Sequence, residues 1–515
     1  MPALRGSPLC GRPGVRRAAG LWWLAVVLAA GGAEARVRWS TPGSYRLRVH
    51  ELTDVPLDEQ GTTTDQHTWG THRLRIDPTI EAGPTRVHIE LAVLTGQIFG
   101  DTNTVGARFV ERRYGNPERS TAGWTTVEPR MLWIDWQWDW GYLQAGQLGA
   151  DFGLGLVDHD GLEPEAEEER FLERFGDVIA GDLVDRLLVA VRPLAPVSLR
   201  EARELVLAAG TDYVWQDDEA RLLDDDSAWR LFGMLLYPGE EVDAGLMVVH
   251  RRQSDANEDR LVTTTLDAYS RWLLPLYRMG ADLRVQGEIA LVTGHTNRQR
   301  AAGSGEESTL LQLGWTFDAQ IAWRCPRLAL GLEAGYASGD ADPADAELRA
   351  FTFDPGRHVG LVLFPDVLRL VTLRSAERLA DPTRVGRSPG GADQLPTDGA
   401  VRNALYTMPG VTWRPGSWRL STGALVAWAA EPFLDPYQTL ENGGTGRSHR
   451  DQPAARFYGT EAMAAIHYTI ADAAFLDALE IGTQAGVLFP GAALQGEMGD
   501  DPIVKVMGRL DLRWQ

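Results

Sequence analysis

Apolar and polar residues alternate with a period of two in many segments of this chain. Between positions 85 and 93, apolar residues occupy every second place, and Arg86 and Glu90 lie among the residues between them. The same alternation runs through positions 280–291 and 503–514. Because successive side chains of a β-strand point to opposite faces, each segment is predicted to be a strand with one apolar and one charged face. Strands that have lipid on one side and a watery lumen on the other show this pattern.

Turn residues divide the chain into eighteen such segments. We place the strands near residues 43–52, 69–79, 84–96, 128–138, 142–157, 182–194, 203–214, 228–237, 240–252, 261–273, 279–293, 308–324, 327–339, 402–413, 418–430, 455–471, 477–490 and 503–514. Short turns alternate with long polar loops, as in outer-membrane β-barrels, where the short turns face the periplasm. The first and last strands are expected to pair, because a closed barrel leaves no unpaired edge in hydrocarbon. Sixteen strands remain an alternative, since 43–52 and 203–214 alternate most weakly.

The N-terminal 35 residues have the features of a secretory signal peptide. Four arginines precede an apolar run that ends at Gly32, and Ala33-Glu34-Ala35 follows as a small-x-small cleavage pattern. An uncleaved anchor is the alternative, but the run is short for a span of roughly 20 residues. We therefore expect cleavage after Ala35. The rest of the chain, 36–515, is predicted to be one antiparallel transmembrane β-barrel in the outer membrane of a Gram-negative-type bacterium.

Charge and cysteine content narrow the possible functions. Removing the four arginines and one glutamate of the leader from 50 basic and 71 acidic residues leaves a net charge of −24, and Lys505 is the single lysine. A nucleic-acid-binding protein needs a basic surface, so that class is excluded. Cys325 is the one cysteine after the leader. An intramolecular disulfide and a cysteine-ligated metal site are therefore excluded as well, and no cofactor is expected.

The charged faces of the strands are expected to line the lumen and set its electric field. The residues predicted to line it are Arg86, Glu90, Asp282, Arg284, Glu288, Glu333, Arg509 and Asp511. Indole rings favour the boundary between membrane and water. The residues predicted to form a girdle at the periplasmic end are Trp136, Trp138, Trp140 and Trp514. Trp133 falls on the lumen face with Asp135 and does not fit that girdle.

The longest loop, 340–401, is the candidate constriction of the lumen. It contains an apolar stretch, 351–370, in which Phe364, Val367 and Leu368 have near-helical spacing. An apolar stretch in a polar loop is expected to be buried. Two outcomes are open: the stretch folds into the lumen, or it packs on neighbouring loops as a lid.

Three further patterns each have two interpretations. Asp158-His159-Asp160 has residues suited to a metal or catalytic site, but a solvated extracellular turn is preferred. The acidic clusters Glu165–Glu169 and Asp224–Asp226 have carboxylates that suit divalent cations, but hydrated loops are preferred. Small residues follow Glu333 on the charged face up to Gly339. They leave space for a loop against the wall, or they occupy positions where size matters little.

Several segments resemble known outer-membrane barrels. Residues 141–161 and 174–191 (RFGDVIAGDLVDRLLVAV) resemble an uncharacterised bacterial family, while 332–355 (LEAGYASGDADPADAELRAFTFDP) and 480–494 (EIGTQAGVLFPGAAL) resemble alginate-export-type porins. The resemblance implies an 18-stranded barrel with a charged lumen that is narrowed by loops and passes an anionic polysaccharide. The exporters are expected to have a strongly basic lumen, whereas the charges inferred here are mixed. A general porin is therefore the expected class.

The predicted function is a channel for small or polymeric polar solutes through a charged lumen. A plugged structural barrel or surface receptor is the main alternative, and a periplasmic β-protein is a second. The chain has no GxSxG motif and no assembled nucleophile and base, so an enzyme is not expected. Expected partners are the membrane lipid with its lipopolysaccharide, and the machinery that assembles barrels.

Overall fold

Eighteen strands close into a single antiparallel barrel in the computed structural model. The structure describes residues 37–106, 127–162, 171–178, 181–197, 203–298, 307–325, 327–341, 345–385, 391–473, 476–497 and 499–514. Each wall strand pairs with the next one along the chain, and β2 pairs with β21 to close the ring. At this seam Gly43 lies opposite Trp514 and Leu52 lies opposite Lys505. The closed ring leaves no wall strand with a free edge.

The strands and helices have the following bounds. The strands are β1 (Val37–Ser40), β2 (Gly43–Leu52), β3 (Thr68–Ile76), β4 (Thr79–Ala82), β5 (Thr85–Gly100), β6 (Val127–Trp138), β7 (Gly141–Gly149), β8 (Leu183–Val191), β9 (Val206–Gln216), β10 (Ser227–Pro238), β11 (Val242–Ser254), β12 (Arg260–Leu276), β13 (Ala281–Thr296), β14 (Ser308–Trp323), β15 (Leu328–Ala337), β16 (Glu347–Leu348), β17 (Ala404–Trp413), β18 (Trp418–Phe433), β19 (Ala455–Ala473), β20 (Leu476–Pro490) and β21 (Ile503–Trp514). A π-helical turn (Leu363–Leu368) leads into α1 (Arg369–Leu379), followed by α2 (Pro382–Val385) and α3 (Pro436–Glu441). Short 3-10 turns cover Leu222–Asp224, Tyr277–Met279 and Ala392–Gln394. Strands β1, β4 and β16 lie outside the ring of eighteen.

All eighteen strands predicted from the alternation are present, including the two weakest, 43–52 and 203–214. Several strand ends differ from the predicted ones by three or more residues, and the largest difference is at β7. Strand β7 stops at Gly149 instead of continuing to 157, because the chain leaves the wall there. Gly153 and Gly155, with φ of 66° and 76°, then turn it into the lumen. The segment predicted as 69–79 is split into β3 and the short hairpin strand β4.

The outer surface of the barrel is an apolar belt between two aromatic bands. Exposed leucine, isoleucine and valine side chains of the wall strands form the belt. Trp136, Trp140 and Trp418 are exposed at the end with short turns, while Trp229 and Phe489 are exposed at the end with long loops. This is the surface of a transmembrane β-barrel. No helix in the described residues is long and apolar enough to cross a membrane.

Two loops occupy the lumen. The first lumen loop joins β7 to β8 (described residues 150–162, 171–178 and 181–182), and the second lumen loop joins β15 to β17 (described residues 338–341, 345–385 and 391–403). The sequence predicted one long loop in or over the lumen, so the predicted number of loops was wrong. The apolar stretch of the second lumen loop is fully buried and packs on inward side chains of the wall, including Tyr406, Leu425, Tyr458 and Leu488. Because the apolar stretch is buried against the wall, it is inserted into the lumen and does not form a lid on neighbouring loops.

The second lumen loop is also held from the end with long loops. Arg374 and Arg378 of α1 form ion pairs with Asp58 (3.0 Å) and Glu59 (2.7 Å) of the segment between β2 and β3. Ser375 donates a hydrogen bond of 2.7 Å to Asp435, which begins α3. Helix α1 is therefore fixed to the wall and to two other loops.

Candidate channel lumen

The first lumen loop lies against a group of wall cations. Asp177 forms ion pairs with Arg46 (2.9 Å) and Arg48 (3.4 Å) of β2. Glu173 forms them with Arg419 of β18 (2.7 Å) and with His467 of β19 (3.1 Å). Burial acts to raise the pKa of Glu173, but His467 and Arg419 bring it below its usual value. The carboxylates of this loop therefore neutralise part of the wall.

Wall side chains also bind the backbone of the first lumen loop. Glu288 of β13 accepts hydrogen bonds from the N–H groups of Leu154 and Leu156, the second at 3.2 Å. Arg130 of β6 donates to the carbonyl of Asp160 at 2.6 Å. The guanidinium of Arg284 lies 4.1 Å from the ring centroid of Phe171, a cation–π contact. The loop is thus anchored on opposite sides of the barrel.

A single wall carboxylate holds the start of the second lumen loop. Glu461 of β19 accepts hydrogen bonds from the N–H groups of Leu361 (2.7 Å), Val362 (3.1 Å) and Leu363 (2.9 Å). These three donors lie at the N-terminal end of the π-helical turn, where backbone N–H groups have no partner inside the helix. Glu461 is fully buried.

The lone lysine holds the same loop one turn later. The ammonium of Lys505 lies 2.7 Å from a carboxylate oxygen of Asp366, and both side chains are buried. The same ammonium lies 5.9 Å from the ring centroid of Trp69. Because the pair is buried, removing either partner leaves an uncompensated charge in the loop–wall contact.

The residues predicted to line the lumen differ in what they contact. Glu288 binds the first lumen loop, as described, and Arg284 contacts both Phe171 and Asp318 (3.3 Å). Glu333 accepts hydrogen bonds from Tyr406 (2.8 Å) and from Arg357 (3.1 Å) of the second lumen loop. These residues hold the loops as well as lining the wall.

The other predicted residues pair mainly within the wall. Glu90 lies 2.7 Å from Arg130. Asp511 lies 2.8 Å from Arg48, and Arg509 lies 3.7 Å from Asp511. At the end with short turns, Asp282 pairs with Arg324 (2.9 Å) and Arg86 pairs with the Glu81 carboxylate (2.8 Å). Their role in lining a pore stays a prediction.

The Asp158-His159-Asp160 segment is not a solvated turn, and that preference was wrong. Asp158 is buried and forms an ion pair with Arg230 of β10. His159 lies inside the lumen, and burial lowers its pKa to about 3. The segment belongs to the first lumen loop, so wall cations surround it instead of water. No group of three or more His, Cys, Asp or Glu side chains in the described residues is arranged to hold a metal ion.

Two buried carboxyl groups connect the lumen loops to each other. Asp182 ends the first lumen loop and Asp354 belongs to the second, and both side chains are buried close enough for the charge of Asp354 to act on Asp182. We call them the carboxyl pair. Burial, together with the charges of neighbouring acids such as Asp158, raises the pKa of both well above the usual value.

Small wall residues leave space for the inserted loops. A Cβ atom at Gly314 would lie 2.3 Å from the Phe351 ring, and one at Gly486 would lie 2.9 Å from Val362. Within the predicted small-residue run, a Cβ atom added at Gly335 would lie 2.5 Å from the ring of Tyr406. That ring in turn packs in the cluster with the second lumen loop. The interpretation that small wall residues leave space for a loop therefore applies to this part of the wall.

The tryptophans of β6 and of the turn after it differ in exposure and in contacts, and their role as a girdle stays a prediction. Trp136 and Trp140 are exposed, and Trp138 lies 5.3 Å and 5.5 Å from their ring centroids. Trp133 instead stacks on His88 of β5, with centroids 4.3 Å apart and planes within 5°. Trp514 closes over Gly43 at the seam, where an added Cβ would lie 2.2 Å from its ring. Trp133 is therefore part of the lumen wall.

Two of the strongest anchors were missed by sequence reasoning. Glu461 lies in a strand of small residues, and nothing in that pattern marks it as a cap for a distant loop. Lys505 had a signal, since it is the one lysine in a chain rich in arginine and falls on the charged face of the last strand. The cluster Glu165–Glu169 and the signal peptide lie outside the described residues. Asp226 of the other cluster accepts the N–H of Arg221 at 2.9 Å.

Among the comparisons with known proteins, only the comparison with solved structures gives matches. No protein-family model matches the chain, and no curated protein does. Matching structures include the outer membrane protein opdK from Pseudomonas aeruginosa (10% identity, TM-score 0.48, covering 92% of this chain and 98% of that chain). Others are OccAB1 of Acinetobacter baumannii (11%, 0.47, 92% and 96%) and OprD of Pseudomonas aeruginosa (10%, 0.46, 92% and 95%). These weak similarities do not indicate which solute is transported. They also give no support to the resemblance to alginate-export-type porins.

Proposed function

We propose that this protein is an outer-membrane channel that passes small polar solutes through a lumen narrowed by two loops. The observation that carries the proposal is the combination of a closed eighteen-stranded wall with inward side chains of both charges. A barrel of this size has a lumen too wide for its own side chains to fill. Passage of a solute then depends on the width left by the loops and on placed charge, and needs no covalent chemistry.

The charges support selection of polar solutes over apolar ones. Cations of β2 and β18–β21 lie on one side of the lumen, and Glu173 and Asp177 of the first lumen loop face them. On the opposite side, Asp318 and Glu333 lie beside Arg284 and Arg357. A solute that passes between these groups exchanges contacts with water for contacts with charged side chains.

Reconstitution in a planar bilayer tests the proposal. Purified, correctly folded protein is expected to give discrete conductance steps. Deleting residues 358–385 and bridging the gap with a short Gly/Ser linker is expected to increase the step size, because the segment fills the lumen. Folded protein without conductance in both forms would remove the proposal.

A plugged structural barrel is the second candidate, favoured by the fully buried cluster between the second lumen loop and the wall. Such a barrel is expected to be silent as wild type. If the deletion prevents folding, the variant Glu461→Ala, which removes one anchor, replaces it in the same measurement. Conductance in the variant and silence in the wild type would identify the plugged barrel.

A further inference from the structure

Four cationic or imidazole side chains stand on the lipid-facing side of the wall at the end with long loops. They are Arg252 and His250 on β11, Arg260 on β12 and His295 on β13. Arg252, Arg260 and His295 are exposed, and His250 is partly exposed. The apolar belt elsewhere on this side of the barrel makes such a group unusual for a transmembrane wall.

Strand register places the group in three adjacent outward rows, with Arg260 opposite Ser254 in the row above Arg252 and His250 in the row below it. The outward residues of one row across β8 to β14 are Asp185, Tyr213, Trp229, Arg252, Val262, His295 and Thr309. The next row toward the barrel centre is Leu187, Thr211, Leu231, His250, Thr264, Thr293 and Leu311. The third row is Val189, Ala209, Gly233, Val248, Leu266, Leu291 and Leu313, which is wholly apolar.

The boundary between hydrocarbon and headgroups therefore lies between the first and third rows. The ring of Trp229, 55% exposed, packs against Tyr213 with centroids 4.7 Å apart and planes tilted by 55°, in the same row as Arg252. Indole and phenol rings favour the headgroup region of a membrane. Arg252 lies directly opposite Trp229 in the register, so its guanidinium belongs to the headgroup layer.

These cations have no acidic partner among the described residues. The side chain of Arg252 donates a hydrogen bond of 3.3 Å to the ring of His250. Arg251, its neighbour along the chain, faces the lumen and is bound bidentately by Asp217. Asp185 is the acid in the same row, and it lies three strands away, about 14 Å at the usual strand spacing. That distance exceeds a Debye length of about 8 Å, so it does not neutralise Arg252.

The turn above the group carries acids but does not occupy it. Asp255 accepts hydrogen bonds from the N–H groups of Asn257 (2.8 Å) and Asp259 (3.0 Å) and faces Arg298 at 3.9 Å. A ligand that approaches from the membrane side meets the arginines and imidazoles first. Guanidinium groups bind phosphate oxygens in pairs, which fits a phosphorylated headgroup.

We propose that Arg252, Arg260, His250 and His295 form a binding site for the phosphorylated glycolipid headgroup of lipopolysaccharide in the outer leaflet. The proposal rests on the outer-membrane location of the proposed function, but not on conduction. The chain carries a net charge of −21, so a local outward-facing cationic group is the place where an anionic lipid binds in spite of the repulsion. Trp229 and the apolar rows below it pack beside the acyl chains.

The test measures binding of bisphosphorylated lipid A to the full-length protein in nanodiscs. Each arginine near a membrane surface contributes a factor of about five, so Arg252→Ala is expected to weaken binding about fivefold and Arg252→Ala with Arg260→Ala about 25-fold. Arg252→Lys keeps the positive charge but loses the paired hydrogen-bond geometry of the guanidinium. Its affinity for lipid A is therefore expected to lie between that of the wild type and that of Arg252→Ala. The control Arg278→Ala removes an exposed arginine from the opposite end of the barrel and is expected to leave binding unchanged.

Additional binding measurements distinguish specific binding at this site from nonspecific attraction of anions to the protein. Dephosphorylated lipid A and phosphatidylglycerol are each expected to bind weakly, with no difference between wild type and the double variant. Inorganic phosphate at millimolar concentration is expected not to displace lipid A. Equal binding of lipid A by the wild type and the double variant, or equal binding of phosphatidylglycerol and lipid A by the wild type, would overturn the proposal. Heat-modifiable gel mobility verifies folding, and bilayer conductance of the same variants tests the proposed function independently.

Discussion

Replacing Glu461 with alanine is predicted to release the start of the second lumen loop from the wall. The carboxylate is the acceptor for three backbone N–H groups, those of residues 361–363, at 2.7, 3.1 and 2.9 Å. All three residues are fully buried. A buried donor left without its partner costs about 1–3 kcal/mol, so three donors cost at least about 3 kcal/mol in docking free energy. Since 1.4 kcal/mol corresponds to tenfold, the undocked population rises by a factor of about 100 or more.

Hydrogen–deuterium exchange measures this change directly, because the three amides exchange only when the loop leaves the wall. Exchange at residues 361–363 is expected to be about 100-fold faster in Glu461→Ala, following the free energy above. In Glu461→Gln the acceleration is smaller, because the amide oxygen still accepts while its NH2 group does not. Glu480→Ala is the matched control, since that wall carboxylate contacts Arg419 and Thr469 instead of this loop. Unchanged exchange at 361–363 in folded Glu461→Ala would refute the reasoning.

Three further predictions concern how the loops are held. Lys505→Met leaves the buried charge of Asp366 unpaired and is expected to lower the free energy of unfolding by about 3–5 kcal/mol in denaturant titrations; adding Asp366→Asn is expected to restore most of it. The carboxyl pair has raised pKa values, so its stabilisation is complete below a pH of about 4 and is lost as pH rises through those values. The thermal midpoint is therefore expected to fall as the pH rises above about 4, and less steeply in Asp354→Asn; parallel curves would contradict this. Gly314→Ala places a Cβ 2.3 Å from an aromatic ring of the second lumen loop and is expected to cost about 1–3 kcal/mol, whereas Gly233→Ala, whose nearest atom is 4.0 Å away, serves as a neutral control.

The eighteen strands were predictable from the sequence because the signal is local and repeated. Each wall strand has lipid on one face and charged groups on the other, so its own residues record both environments. Even the weak segment 43–52 was placed correctly, with the bounds of β2. The end of β7 was misplaced for the same reason, because the segment after Gly149 keeps an apolar pattern while packing inside the lumen.

The loops were less predictable, because their positions depend on contacts between residues far apart in the chain. The spacing of Phe364, Val367 and Leu368 indicated a buried helical segment but not the surface that buries it. Asp158 was interpreted as solvated, since nothing near it in sequence shows that Arg230 lies opposite. Glu461 has no local signature as a cap, because its partners lie about a hundred residues earlier.

The sequence by itself therefore determined the wall: the number of strands and their antiparallel direction. Period-two alternation and the turn residues specify these, because a membrane imposes one solvent on each face of every strand. The tertiary structure alone decided what occupies the lumen. Insertion of both loops depends on ion pairs, capping contacts and wall glycines that meet only after the barrel closes. The same closure aligns Arg252 and His295 with Trp229 in one outward row, although they lie on three different strands.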